Sequence, residues 1–146
     1  MDQNASLAGA PPVLEIASDD HQDKEYVVRK DGLTYAGTHV LVDFWGASQI
    51  DDVEFVARTL RDAAHACNAT VLHVHVHEFA SSGGVSGVAV LAESHITVHS
   101  WPEIDYTAFD IFMCGDCDPM LAVPVLRHAF RPVRETIDAQ NRGLVE

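Results

Sequence analysis

Two hydrophobic periods alternate along this chain. Residues 39–44 form an apolar, β-branched run that predicts a buried strand. Residues 46–49 read as a turn. Asp51 and Asp52 then offer oxygens that can cap a helix. Val53, Val56, Leu60, Ala63 and Cys67 recur at helical spacing as far as Asn68, which makes Cys67 a core residue. Residues 70–79 predict a strand, and 80–84 a loop rich in Ser and Gly. Residues 87–92 and 95–101 predict two more strands. Across 106–113, Tyr106, Ala108, Asp110 and Phe112 alternate with Thr107, Phe109, Ile111 and Met113, the period of a strand. Asp118-Pro119 opens a second helix that runs to about residue 130, with a bend expected at Pro124. Residues 132–137 predict a last strand. The order β-α-β-β-β-β-α-β predicts an α+β fold, a two-layer α/β sandwich with a mainly antiparallel sheet and helices on one face.

Residues 1–36 depart from this pattern. They carry Ala10-Pro11-Pro12, Asp19-Asp20 and Gln22-Asp23-Lys24-Glu25. The expectation is a mobile arm with a short strand at Tyr26-Val27-Val28, ahead of one domain over 37–146. No internal repeat is evident. The stretch 1–25 has neither a basic start nor an apolar core, so no secretory signal is expected.

Composition sharpens this picture. With 146 residues, 47% of them apolar and 21% charged, the chain suits one domain with a real core. No apolar run is long enough to cross a bilayer as a helix. Nine Lys plus Arg against 22 Asp plus Glu give a net charge of −13. Such a surface repels nucleic-acid phosphates and attracts small cations. Three cysteines, Cys67, Cys114 and Cys117, are too few for a disulfide framework, so a reducing cytoplasm is expected.

Two segments carry chemistry. One runs from Gly84-Val85-Ser86-Gly87 through Glu93-Ser94-His95 and His99 to Trp101-Pro102-Glu103. The other is Asp110-Ile111-Phe112-Met113-Cys114-Gly115. With Gly37-Thr38-His39 and His77-Glu78-Phe79, they resemble the prokaryotic S-adenosylmethionine decarboxylase proenzymes, a pyruvoyl-dependent family. The resemblance covers residues 37–134.

The resemblance implies self-cleavage between Glu93 and Ser94 into a β chain, 1–93, and an α chain, 94–146. Ser94 would attack the preceding carbonyl and end as a covalent pyruvoyl group, whose ketone captures a substrate amine as a Schiff base and draws electrons as CO₂ leaves. By the same resemblance, His99 abstracts the proton that completes processing, with Ser86 assisting, and Cys114 donates a proton during decarboxylation. Phe79 would stack on adenine, and Glu103 would bind the ribose hydroxyls. Residue chemistry agrees in part: imidazole titrates near neutrality, a thiol can donate, and a carboxylate offers a diol two acceptors. On a regular strand, however, Ser94 and His99 fall on opposite faces.

The resemblance further implies polyamine biosynthesis, a small cationic substrate and a homodimer of αβ protomers with active sites near the subunit interface. S-adenosylmethionine is the favoured substrate. L-ornithine or L-arginine decarboxylation on the same scaffold stays open, as does a non-processing binding paralogue. The loop after Phe79 is one residue longer than the family's usual spacing and lacks its frequent Pro, and Asp105 stands where the family often has Gly. Cys114-Gly115-Asp116-Cys117 is a C-x-x-C, a spacing open to thiol-redox or metal chemistry, but without a second pair a structural zinc site lacks half its ligands. Cys117 is read as a neighbour of the reactive thiol. His73, His75 and His77 share one strand face that could bind a metal; the family motif accounts for His77, His73 and His75 are read as a half-exposed sheet face, and no metal is assigned.

Overall fold

A computed structural model describes residues 25–145. Eight strands and two α-helices follow in the order β1 (Val28–Lys30), β2 (Leu33–Tyr35), β3 (Gly37–Trp45), α1 (Val53–Ala66), β4 (Val71–Glu78), β5 (Val85–Leu91), β6 (Ser94–Trp101), β7 (Tyr106–Cys114), α2 (Ala122–Phe130) and β8 (Arg134–Arg142). Strands β1 and β2 make a small hairpin. The other six form one sheet in the order β4-β5-β6-β7-β3-β8, with every pair antiparallel. This is the expected α+β sandwich.

One sheet face carries the core. Val40, Val42 and Phe44 of β3 lie beside Phe109, Ile111 and Met113 of β7 and Ile96 and Val98 of β6. Helix α1 lays Val56, Leu60, Ala63 and Ala64 over them, as the helical spacing predicts. Asp52 caps it by accepting the Phe55 N–H (3.0 Å). Leu126 and Phe130 of α2 complete the layer, Phe130 packing edge-on to Phe55. Strand parity also turns Ser100 inward. Its hydroxyl accepts the Val85 N–H (3.0 Å) and donates to the Ile50 carbonyl (2.7 Å), offsetting its burial.

Three elements differ from the sequence reading. Of the arm, residues 1–24 lie outside the described residues, while 25–36 include the β1-β2 hairpin; the strand expected at 26–28 overlaps β1 only at Val28, and β2 was not anticipated. The second helix is split: Asp118 caps a 3-10 turn, Pro119–Leu121, and α2 starts only at Ala122. Pro124 therefore occupies the first turn of α2, where a missing N–H costs nothing; a helix begun at Asp118 would lose a hydrogen bond there. Finally, β8 reaches Arg142, five residues past the expected end, because it pairs with all nine residues of β3. An edge strand exposed on its outer side needs ladder hydrogen bonds more than apolar residues.

Leu60→Ala is expected to lower unfolding free energy by about 3 kcal/mol, and Asp52→Ala by about 1 kcal/mol. Denaturant unfolding of both variants checks this, and a larger loss from the cap than from the core would contradict it.

Candidate active site

Three of the residues singled out from the sequence meet where β5, β6 and β7 end. Strands β5 and β6 are joined by Ala92 and Glu93 alone, because Leu91 pairs with Ser94. Glu93 closes this turn at φ +59°. A left-handed backbone suits glycine there; for a residue with a Cβ it costs about 1–2 kcal/mol. The expected cut thus falls at a strained peptide.

Cys114, at the end of β7, touches both sides of that peptide. Its thiol donates to the Glu93 carbonyl oxygen (3.1 Å), and its amide N–H donates to Ser94 Oγ (3.3 Å). Ser94 Oγ and Cys114 Sγ are 3.6 Å apart, and both residues are buried. The arrangement polarises a carbonyl and fixes a hydroxyl beside it, which is what an N→O acyl shift requires. Gly37 makes it possible: it pairs with Cys114 across β3-β7, and a Cβ there would come within 2.4 Å of the Met113 carbonyl oxygen. Next to Cys114 opens a cavity of about 360 Å³ lined by Tyr26, Asn68, Thr70, Ala92 and residues 114–117.

The other four residues gather at the opposite end of the sheet. Ser86 and His99 pair across β5-β6, and Ser86 Oγ lies 2.8 Å from His99 Nδ1. Phe79 follows β4 and packs its ring edge-on to His77 (4.9 Å). Glu103 is exposed in a 3-10 turn, Pro102–Ile104, directly after β6. At the strand rise, five residues from Ser94 to His99 span about 17 Å. They also lie on opposite faces: Ser94, Ile96, Val98 and Ser100 point into the core, while His95, Thr97, His99 and Trp101 line the face without a helix. Within one chain His99 does not reach Ser94. His75 and His77 border a cavity of about 340 Å³ with Ser86 and His99, and His73, His75 and His77 are exposed on edge strand β4.

The helix-free face holds groups that sequence reasoning missed. His39 Nε2 meets Asp110 Oδ1 at 3.0 Å, and Arg142 reaches His39 Nδ1 at 3.5 Å. His95 stacks on Phe112 at 5.8 Å. Burial, aided by His39 and partly opposed by Asp110, pulls the His95 pKa below its ordinary 6.5. A second chain of contacts runs from Trp45 through Tyr106 and Trp101 to His99, with Tyr106 donating to Asp43. Alternation placed these residues on one face, but their meeting depends on the β3-β7-β6 register, which no local pattern encodes.

Comparison with known proteins decides the family. A family model described as S-adenosylmethionine decarboxylase matches residues 38–143. The S-adenosylmethionine decarboxylase proenzyme of Thermomicrobium roseum is 44% identical over 110 residues, covering 75% of this chain and 95% of that protein. This chain belongs to the S-adenosylmethionine decarboxylase family. The Methanococcus aeolicus proenzyme is 40% identical over 118 residues, covering 78% of this chain and all of the relative. A crystal structure of the adenosylmethionine decarboxylase from Aquifex aeolicus superposes with TM-score 0.67 at 32% identity, covering 75% of this chain and 92% of that one. The family match spans β3 to β8 and so takes in both residue clusters. Among the described residues, no helix is long and apolar enough to cross a membrane.

His95 yields a stability prediction. Its native pKa is depressed, so the unfolded chain binds the proton more readily. Stability is full above the unfolded value of 6.5 and falls as pH drops toward the lower native value. Melting temperatures between about pH 7 and about pH 5 should fall more steeply for the native sequence than for His95→Gln. Parallel profiles would exclude His95 as a source of acid sensitivity.

Proposed function

We propose that this chain is a self-processing, pyruvoyl-dependent decarboxylase that converts S-adenosylmethionine to decarboxylated S-adenosylmethionine and CO₂, for polyamine biosynthesis. The observation that carries the reading is the clasp of Cys114 around the Glu93–Ser94 peptide. Ser94 Oγ attacks the Glu93 carbonyl carbon. A C–O bond forms, the C–N bond breaks, and the hydroxyl proton passes to the departing amine. The Cys114 thiol holds the carbonyl oxygen as it gains charge, and release of the strained Glu93 backbone favours the cut. A base must then take the Ser94 α-proton so that the new ester is eliminated. His99 is suited to this, with Nδ1 engaged by Ser86 and the other ring nitrogen left to accept the proton.

His99 acts on a second copy in this reading. The separation along β6, and the opposite facing of the two side chains, leave the site incomplete in one protomer. A homodimer of αβ protomers supplies the Ser94–Cys114 cluster from one copy and Phe79, Ser86, His99 and Glu103 from the other.

The residues present fit the pyruvoyl group: a buried serine whose hydroxyl lies 3.6 Å from a thiol that donates to the preceding carbonyl. Formed from Ser94, the group supplies an electrophilic ketone that withdraws electrons as CO₂ leaves. Cys114 Sγ is positioned to return a proton to the substrate α-carbon. Phe79 offers a half-exposed ring to adenine, and Glu103 offers two acceptors to the ribose diol. The acidic surface draws in a cationic substrate.

Purified protein is expected to appear under denaturing, reducing conditions as two chains split after Glu93, and to release CO₂ from S-adenosylmethionine faster than from ornithine or arginine. Ser94→Ala should remain one chain. Cys114→Ala should cut itself roughly tenfold more slowly, the effect of losing about 1.4 kcal/mol of transition-state stabilisation, and should decarboxylate poorly once cut. Cleavage persisting in Ser94→Ala, or faster release from either amino acid, would reject the reading.

A further inference from the structure

Cys114 and Cys117 are the ends of a tight turn in which the Cys117 N–H donates to the Cys114 carbonyl (3.3 Å). Between them Gly115 adopts φ +59°, a backbone that glycine reaches without a Cβ clash. Its N–H donates to the Tyr26 carbonyl (2.8 Å), which pins the turn. A turn of this kind keeps its first and fourth Cα atoms within about 7 Å, and a disulfide spans Cα separations up to about 6.8 Å. Both cysteines line the cavity of about 360 Å³, whose rim residue Asp116 is exposed.

The third thiol, Cys67, neighbours Cys117 but is deeply buried. Cys67 is buried at the end of α1, and burial pushes its pKa up to about 12, with the charges of Asp118 and Cys117 adding to the rise. Such a sulfur stays a thiol and is a weak nucleophile.

We infer that Cys117 is a resolving thiol for Cys114: a hydroperoxide closes a Cys114–Cys117 disulfide that silences the enzyme until a dithiol reopens it. The silencing rests on Cys114 being the proton donor; the disulfide itself does not. In the first step Cys114 sulfur attacks one peroxide oxygen, the O–O bond breaks, and water or an alcohol leaves with the thiol proton. In the second, Cys117 sulfur attacks the resulting sulfenic acid. The S–O bond breaks, the S–S bond forms, and a second water carries off the Cys117 proton. Two thiols lose two electrons and the peroxide gains two. Cys117 Sγ donates to the Asn68 carbonyl at 3.5 Å in the thiol state, so closure requires a side-chain rotation away from it. The pairing traps the sulfenic acid before it is oxidised irreversibly to sulfinic acid.

The test treats the processed enzyme with hydrogen peroxide and reads non-reducing intact mass, peptide maps and CO₂ release before and after dithiothreitol. The expected result is that chain 94–146 loses the mass of two hydrogens, that turnover falls about a hundredfold in step, and that dithiothreitol reverses both. Cys117→Ser should still cut itself and start active. After peroxide it should gain the mass of two or three oxygens at Cys114, with no recovery in dithiothreitol. Oxygen adducts on the native sequence without loss of hydrogens would overturn the inference. So would a Cys67–Cys117 link, visible as chains 1–93 and 94–146 joined. A Cys114–Cys117 disulfide with undiminished turnover would overturn the switch and remove Cys114 as proton donor, while leaving self-cleavage intact. A protein that cuts itself but never releases CO₂ would fail as a decarboxylase, yet its masses would still decide whether the disulfide forms.

Discussion

Side chains alternate across a β-strand, and strand β6 obeys that rule along its whole length. This single constraint organises the molecule. It sends Ile96 and Val98 into the core under α1 and α2 and forces Ser100 to find buried partners. It also sends His95 and His99 to the face that no helix covers. Ser94 begins the strand on the inward parity, so it is sealed against Cys114 rather than presented beside His99. The residues proposed for the chemistry are therefore divided in two by the pleat that builds the core.

The Glu93–Ser94 end of the sheet holds its strain locally. A two-residue connection between β5 and β6 leaves Glu93 little freedom, and it adopts a backbone better suited to glycine. The strain persists because the pairing of β6 with β7, and of β7 with β3, fixes the strands on either side. Cys114 then adds two hydrogen bonds to the peptide from the neighbouring strand. Gly37 lets β3 approach closely enough for this, so a residue with no side chain supports the site from the far side of β7. The same turn that ends β7 brings Cys117 back beside Cys114, which links the proposed oxidation chemistry to the proposed decarboxylation chemistry.

Much of the fold was legible because its signals are local. The stripe Val56, Leu60, Ala63 fixed α1, Asp52 marked its start, and alternation marked β7 almost to the residue. The second helix was misjudged because Pro119 reads as a helix start, whereas Pro124 needs the first turn for itself. Strand β8 was cut short because its second half, Asp138 to Arg142, is polar and is held by pairing with β3 rather than by burial. Within the site, the Glu-Ser-His motif singled out the pair at which the cut is proposed, and strand parity anticipated that His99 faces away from Ser94. The positive φ of Glu93, the His39–Asp110–Arg142 cluster and the contacts of Tyr106 were not legible. The first comes from the two-residue β5–β6 connection, and the others from the pairing of β3 with β7 and β8, strands distant from it in sequence.

The most direct measurement is the co-expression of two variants that should each be silent alone, His99→Ala and Ser94→Ala, followed by intact mass under denaturing, reducing conditions. If the reactive serine of one copy is served by the imidazole of the other, the His99→Ala chain is cut after Glu93 in the mixture while the Ser94→Ala chain stays whole. If both chains remain whole together, as each does apart, the division of the site between two copies is contradicted.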